Sequence, residues 1–486
     1  MKKLLRTKSV DHLIAESQDD SHGLKRVLTR AHLIALGIGA VIGTGIFVLT
    51  GHAAADFAGP GVALSYILSG FGCLFAGLCY AEYSAAIPIA GSAYTYTYAT
   101  LGEFMAWIIG WDLILEYLFA ASTVAVGWSK HFLPFMKDFF GISLPEQWCR
   151  APLDYVDGSI VTTSHYVNIP AILLVWVVTA LLVVGIKESA KFNNVMVAVK
   201  VTIILLIIGF GWGYINWDNL TPFIPENTGE AGKYGWSGIL KGSGVIFFAY
   251  IGFDAVSTAA QETKNPQKDM FWGMIGSLLI CSLLFVAVSV VLCGMVNYKE
   301  LHVDAPVVYA LEKVAGDGLK WLRMSVEIAV LAGLSSVILV LLMAQPRIFF
   351  SMARDGLLPP SFAKVHPKYG TPHITTILTG FICSILAGFL PLNLLGELVS
   401  IGTLLAFTVV CLGIIVLRKT KPDMPRPYRT PWVPVVPILG AVICIAQTVL
   451  LPFDTWLRLI IWMAIGVAVY FLYGRKHSKL HHPSQS

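Results

Sequence analysis

Charge is what this sequence lacks. Only 13% of its 486 residues are Asp, Glu, Lys or Arg, about half the share of an ordinary soluble domain. That shortage excludes a chain whose surface is mostly in water. No Cys-x-x-Cys pair occurs, and seven of the eight cysteines lie in apolar stretches, with Cys149 alone in a polar loop. Neither a disulfide framework nor a cysteine metal site is expected from them. The basic residues are not gathered on one segment, which removes nucleic acid as a partner. Residues 1–32 are polar and basic and lack the short apolar core of a cleavable signal, so the first apolar segment is read as a retained span. What is abundant is hydrophobicity, at 56% of residues with a mean hydropathy of +0.71.

A helical crossing takes roughly 20 apolar residues, and twelve take on the order of 250. Apolar run lengths place spans near 33–56, 62–87, 103–128, 168–186, 192–215, 239–261, 270–296, 321–353, 373–390, 394–417, 433–451 and 455–474. An even count returns both termini to one side. With the N-terminus inside, 22 of the 34 Lys and Arg fall on the inner face and ten on the outer. The excess marks the inner face as cytoplasmic. The two remaining, Lys200 and Arg347, fall inside apolar segments. Arg347 precedes Arg354 and Asp355 by one to two turns, so it is expected to snorkel to the cytoplasmic end of span 8.

Spans 1 and 6 each carry a glycine-containing interruption, Ile42-Gly43-Thr44-Gly45-Ile46 and Ile251-Gly252-Phe253-Asp254-Ala255. Breaks five helices apart in spans of opposite direction point to two inverted repeats. A broken membrane helix exposes backbone polar groups that lipid cannot satisfy, so it is tolerated where it lines a wet or protein-buried cavity. The amides of Thr44 and Gly45, at the positive end of a half-helix, suit a carboxylate, and carbonyls such as that of Val41 suit an ammonium group. An amino acid zwitterion carries both. The alternative is that Gly39 and Gly43, spaced as GxxxG, serve close helix packing. Asp254, just past the second break, either caps the following half-helix or faces a cationic substrate, and capping needs no partner beyond the local backbone.

Span 3 carries Asp112 and Glu116 on one face. With no histidine or metal-ligand cluster nearby in sequence, Glu116 reads as a substrate-facing or proton-carrying acid, or as a structural one. Lys200 is followed by ten apolar or hydroxyl-bearing positions and cannot easily reach water. It either loads and unloads a proton or is bonded permanently to an acid or to the carbonyls of a broken helix. The run Tyr94-Thr95-Tyr96-Thr97-Tyr98 reads as an interfacial or re-entrant segment that could equally line the inner mouth.

Several motifs together resemble the amino acid–polyamine–organocation permeases, and within them the cationic amino acid transporter branch and its bacterial proton-coupled relatives. They are Gly37 to Phe47, Leu78 to Glu82, Gly91 to Tyr94, Gly110 to Glu116, Phe247 to Thr258, Asn265 to Gln267 and Arg354 to Leu358, within a match from about residue 30 to 475. The resemblance implies an all-α membrane protein with a LeuT-type 5+5 inverted repeat and 12 transmembrane helices, of which helices 1 and 6 are broken. Residues 1–32 would be a cytoplasmic tail. A transport core would span 33–418, with repeats 33–215 and 239–418, followed by helices 11 and 12 over 433–474 and a cytoplasmic tail over 475–486.

The resemblance implies Val41, Thr44, Gly45, Phe248, Ala249 and Ile251 as substrate contacts and Lys200 as the proton-coupling residue; Gly43, Glu116 and Asp254 complete the expected site on the reading of the residues themselves, and Glu116 departs from the animal cationic carriers, which often lack an acid there. The expected activity is import of L-amino acids, cationic or small and neutral, by proton-coupled alternating access. The alternative is an exchanger or uniporter without proton coupling. No catalytic residue, metal or organic cofactor is expected, the proton being the coupling ion. A membrane-embedded transferase would want a nucleophile or metal constellation, and the sequence shows none. The partners expected are the L-amino acid and the lipid bilayer of the cell membrane, with room for a small membrane accessory subunit.

Overall fold

The computed structural model describes residues 6–9, 13, 24–43, 45–156, 159–230, 232–303, 305–449, 451 and 453–480. Each expected span is helical over most of its length: Arg30–Val41 continued by 45–58, then Val62–Ala86, Glu103–Phe140, Ile169–Val184, Ile186–Trp212, Gly235–Glu262, Pro266–Met295, Lys320–Arg354, His373–Phe389, Leu392–Thr420, Val435–Val449 and Phe453–Val469. Among the described residues, eight helical runs are long and apolar enough to cross a membrane. Four further apolar helices are shorter, Arg30–Val41 among them. One of the eight runs, Gly45–Ala86, joins the second half of span 1 to span 2 and is interrupted at Gly59, whose φ of +60° favours a residue without a side chain. Outside the helices, a two-stranded antiparallel hairpin pairs Leu153–Val156 with Ser159–Thr162 in the loop after span 3.

Span 8 forms the centre. It packs on spans 1, 3 and 5, and its residues 332–353 are buried almost without exception. Span 1 packs on spans 5, 6, 7 and 8, so both halves of the broken helix are enclosed by protein. Spans 11 and 12 lie at the periphery, span 11 against spans 2 and 10 and span 12 against spans 3 and 10. Their outward faces, with Leu439, Val442, Ile460 and Ile461, are exposed and aliphatic, as a lipid-facing surface requires.

Both tails meet at one face. Lys8 reaches Asp355 at 2.7 Å, Tyr94 donates to the other oxygen of the same carboxylate at 2.7 Å, and the Lys479 N–H donates to the Asp355 carbonyl at 3.1 Å. The tyrosine run forms a short buried helix, Ala93–Thr100. On the same face, Arg418 near the end of span 10 forks onto buried Glu82 of span 2 with bonds of 3.0 and 2.7 Å and donates to the Thr430 carbonyl of the following loop at 2.8 Å.

Arg347 does not snorkel. It is 4% exposed and binds Glu262 of span 6 bidentately, through Nε at 2.6 Å and Nη2 at 2.8 Å. The expectation counted the distance to the helix end and missed a carboxylate arriving from another helix. A fork-to-fork pair satisfies a buried guanidinium better than a bent path to water.

Candidate functional site

The first break is a true interruption of helical backbone. Arg30–Val41 ends with Ile42 in an extended conformation, and winding resumes at Gly45 as a π turn. The second break follows the same scheme. A 3-10 turn over Phe247–Tyr250 stops at Ile251, which is extended, and Gly252 turns the chain at φ +104° before the 3-10 segment Phe253–Glu262. A side chain at Gly252 would be strained by that φ and pressed against Ala40. The two breaks are in direct contact, since a Cβ at Gly45 would lie 2.7 Å from Cα of Ala249 and closer still to its Cβ.

Between the breaks lies a small cavity. Val41, Gly43, Gly45, Phe248, Ala249 and Ile251, all singled out in the sequence, line it together. Thr44 lies outside the described residues. The remaining wall is aliphatic: Ala40 from span 1, Ala120 and Val124 from span 3, Val337 and Leu341 from span 8. None of these five was expected from the sequence, although Glu116, Ala120 and Val124 follow one another at intervals of four along one helical face. The Gly45 carbonyl accepts from Tyr66 at 3.1 Å and from Thr50 at 3.3 Å. These bonds fix the peptide at the start of the half-helix, where first-turn N–H groups have no preceding turn to bond.

Lys200 does not line the cavity. It stands behind the first break, fully buried, with Nζ donating to the Gly39 carbonyl at 3.0 Å, the Ile42 carbonyl at 2.9 Å and Ser336 Oγ at 2.8 Å. One ammonium thus joins spans 1, 5 and 8 and takes carbonyls that the break sets free. Ser336 also donates to Gly39 O at 3.0 Å, and it carried no signal in the sequence, being one hydroxyl in an apolar helix.

Glu116 and Asp254 also lie outside the cavity wall, as does Asp112; all three are fully buried. Glu116 sits in a π turn, Leu115–Phe119, that interrupts span 3. Such turns widen a helix and recur at functional positions. Asp254 is not the helix cap expected. The half-helix starts from Gly252 with no side-chain cap, and Asp254 accepts from the Tyr117 hydroxyl instead. Among the described residues, both Asp112 oxygens, both Glu116 oxygens and Asp254 Oδ1 meet no hydrogen-bond donor. Glu116 and Asp254 face one another closely enough to share a proton between their carboxyls.

A cavity at two apposed helix breaks, inside a bundle of apolar helices, is the architecture of a carrier rather than of an enzyme. The comparisons with known proteins agree. The amino acid permease family model matches residues 28–470. The methylthioribose transporter of Bacillus subtilis (strain 168) is 47% identical over 480 residues, 99% of this chain and 100% of that protein. The branched-chain amino acid permease BcaP of the same organism is 45% identical over 478 residues, 98% of this chain and 99% of its own. The vacuolar cationic amino acid transporter 4 of Arabidopsis thaliana is 38% identical over 432 residues, 87% of this chain and 68% of that protein. These findings define a multi-pass membrane transporter. The chain belongs to the amino acid permease family, within the amino acid–polyamine–organocation superfamily.

Proposed function

We propose that the chain imports L-amino acids together with protons by alternating access, using a LeuT-type 5+5 inverted repeat with twelve crossings and both tails in the cytoplasm. The observation that carries this reading is Lys200, a buried ammonium bonded to two freed carbonyls of span 1 and one hydroxyl of span 8. Protonated, it holds the broken helix against spans 5 and 8; neutral, it loses donors and releases them. A charge that favours one packing over another is what coupling requires.

In this reading the backbone amides of Thr44 and Gly45 take the substrate carboxylate. Carbonyls of Val41, Phe248, Ala249 and Ile251 take the ammonium, and Gly43 gives both room. The side chain then meets Ala120, Val124, Val337 and Leu341. That wall favours neutral aliphatic amino acids, and the likeness to branched-chain permeases supports the same preference. The likeness to cationic carriers supports the other one, which would draw on Glu116 and Asp254 just beyond the wall.

In proteoliposomes an inward proton gradient should drive accumulation of a labelled aliphatic amino acid, and a sodium gradient should not. Lys200→Met should abolish accumulation while counterflow persists, and Thr44→Val should weaken both. Uptake driven by sodium alone would refute the reading. A competition panel of the twenty amino acids separates the aliphatic preference from the cationic one.

A further inference from the structure

At the face opposite the tails, the loop between spans 7 and 8 sits on the second half of span 1. His302 of that loop donates from Nδ1 to the Asp56 carboxylate, 2.9 Å from each oxygen. His52 precedes Asp56 by one turn, and its ring stacks on that of His302 with centroids 4.7 Å apart and planes inclined by 12°. Its Nε2 lies 3.0 Å from the Val303 carbonyl, an acceptor, so this nitrogen carries a proton. Beneath the loop, a Cβ at Gly51 would collide with Pro306. The half-helix that lines the cavity therefore cannot swing outward without parting from this loop.

We propose that His302, Asp56 and His52 form a proton-operated latch on the outer gate, in which a proton taken up from outside clamps the loop onto the substrate-binding half-helix. The inference rests on reading this face as the outer one and residues 45–58 as the moving half of span 1.

Histidine changes charge between about pH 5 and 8. A cationic His302 turns the bond between a neutral imidazole and the Asp56 carboxylate into an ion pair. Acid outside thus favours the latched arrangement and alkaline medium loosens it. Two imidazolium rings stacked face to face repel, so one proton operates the pair, and the ring beside Asp56 is the one that holds it.

Other charged groups around the latch are engaged elsewhere. Glu300 accepts from Lys313 and from Tyr309, Lys241 lies over the Phe57 ring at 4.9 Å, and Lys299 lies over Tyr298 at 5.9 Å. Tyr234 donates to the Ala55 carbonyl at 2.7 Å, and Glu312 pairs with Arg323 at 3.3 Å. Asp304 lies outside the described residues. His302 and Asp56 have side chains 62% and 38% exposed, so protons from the medium reach them. Among the described residues no group of three or more His, Cys, Asp and Glu is placed to hold a metal ion.

The test uses Ala55→Cys, a covered position on the half-helix, in a chain whose eight native cysteines are buried. Intact cells are labelled with a membrane-impermeant thiol reagent at pH 5.5 and pH 8, with and without His302→Gln. Comparing rates at the same cysteine cancels the pH dependence of the thiol itself. We expect His302→Gln to speed labelling roughly two- to five-fold at pH 5.5 and hardly at all at pH 8, as loss of an exposed charged pair predicts. Asp56→Asn should do the same, and the effect should persist in a Lys200→Met background, which separates it from proton coupling at the lysine. Equal pH profiles with and without His302 would overturn the latch. Labelling absent in cells at both pH values but present in detergent would overturn the outer-face reading, and the latch with it.

Discussion

Two charged centres flank the cavity, and they are built on opposite rules. Behind the break of span 1, the Lys200 ammonium has three neutral acceptors within 3.0 Å. Near the break of span 6, Asp254 accepts from the Tyr117 hydroxyl and faces Glu116, and five oxygens of Asp112, Glu116 and Asp254 have no donor among the described residues. A saturated ammonium holds its neighbours in place. Under-bonded carboxyls in a low dielectric are costly and call for a proton, a water or a cation from outside the protein. The comparison sets a saturated cation against under-bonded acids, and it ranks the variants that would test it.

The largest effect is expected where the two breaks touch. Gly45→Leu should lower uptake at least 100-fold, because its side chain must enter the space shared with Ala249. Pairing Gly45→Ala with Ala249→Gly should restore expression and thermal stability without restoring apparent affinity. Recovery of both would mean that the glycine serves packing, as GxxxG does, and not the substrate.

Next comes Lys200→Met, which should abolish concentrative uptake and retain counterflow. The carbonyls it strands should cost about 1–3 kcal/mol of stability each, seen as a lowered Tm in detergent. Concentrative, pH-dependent uptake by this variant would move the coupling role to the acids. Glu262→Gln should then free the Arg347 guanidinium and loosen the tail side. Breaking a buried pair costs about 3–5 kcal/mol, and the expected readout is faster labelling of cysteines placed on the tail side of the cavity.

A smaller and more selective effect is expected at the under-bonded centre. Glu116→Gln or Asp254→Asn should weaken lysine or arginine roughly tenfold more than leucine if either acid reads a basic side chain. Equal losses for both substrates would assign the acids to structure or to protons. Smallest of all, Ser336→Ala removes one of three acceptors and should slow proton-driven uptake about fivefold, the worth of one hydrogen bond near 1 kcal/mol.

Much of this was legible in the sequence for a simple reason: apolar helices make exceptions conspicuous. Glycines inside a span marked both breaks, and Lys200, Glu116 and Asp254 stood out as ionisable residues among aliphatic ones. What stayed hidden depends on which helix faces which. Glu262 could not be matched to Arg347, nor Ser336 to Lys200, nor Tyr117 to Asp254, because each pair is separated by more than 80 residues and formed by packing alone. The cavity wall was hidden differently. Val337 and Leu341 are ordinary residues of an apolar helix until the fold turns them toward Ala249. Of the two readings of Asp254, capping fails because it assumes an α-helical start, and here a 3-10 segment begins from Gly252.

The meeting of both tails at Asp355 makes the chain a ready-made gauge of its own motion. Lys8 and Lys479 lie on span 8 and the short tyrosine helix from opposite ends of the sequence. Fluorophores attached near residues 8 and 479 would sit within a few nanometres, where energy transfer is steepest. Any rearrangement that unseats one tail would register as a change in colour, and a donor–acceptor pair there would follow single transport cycles without touching the cavity.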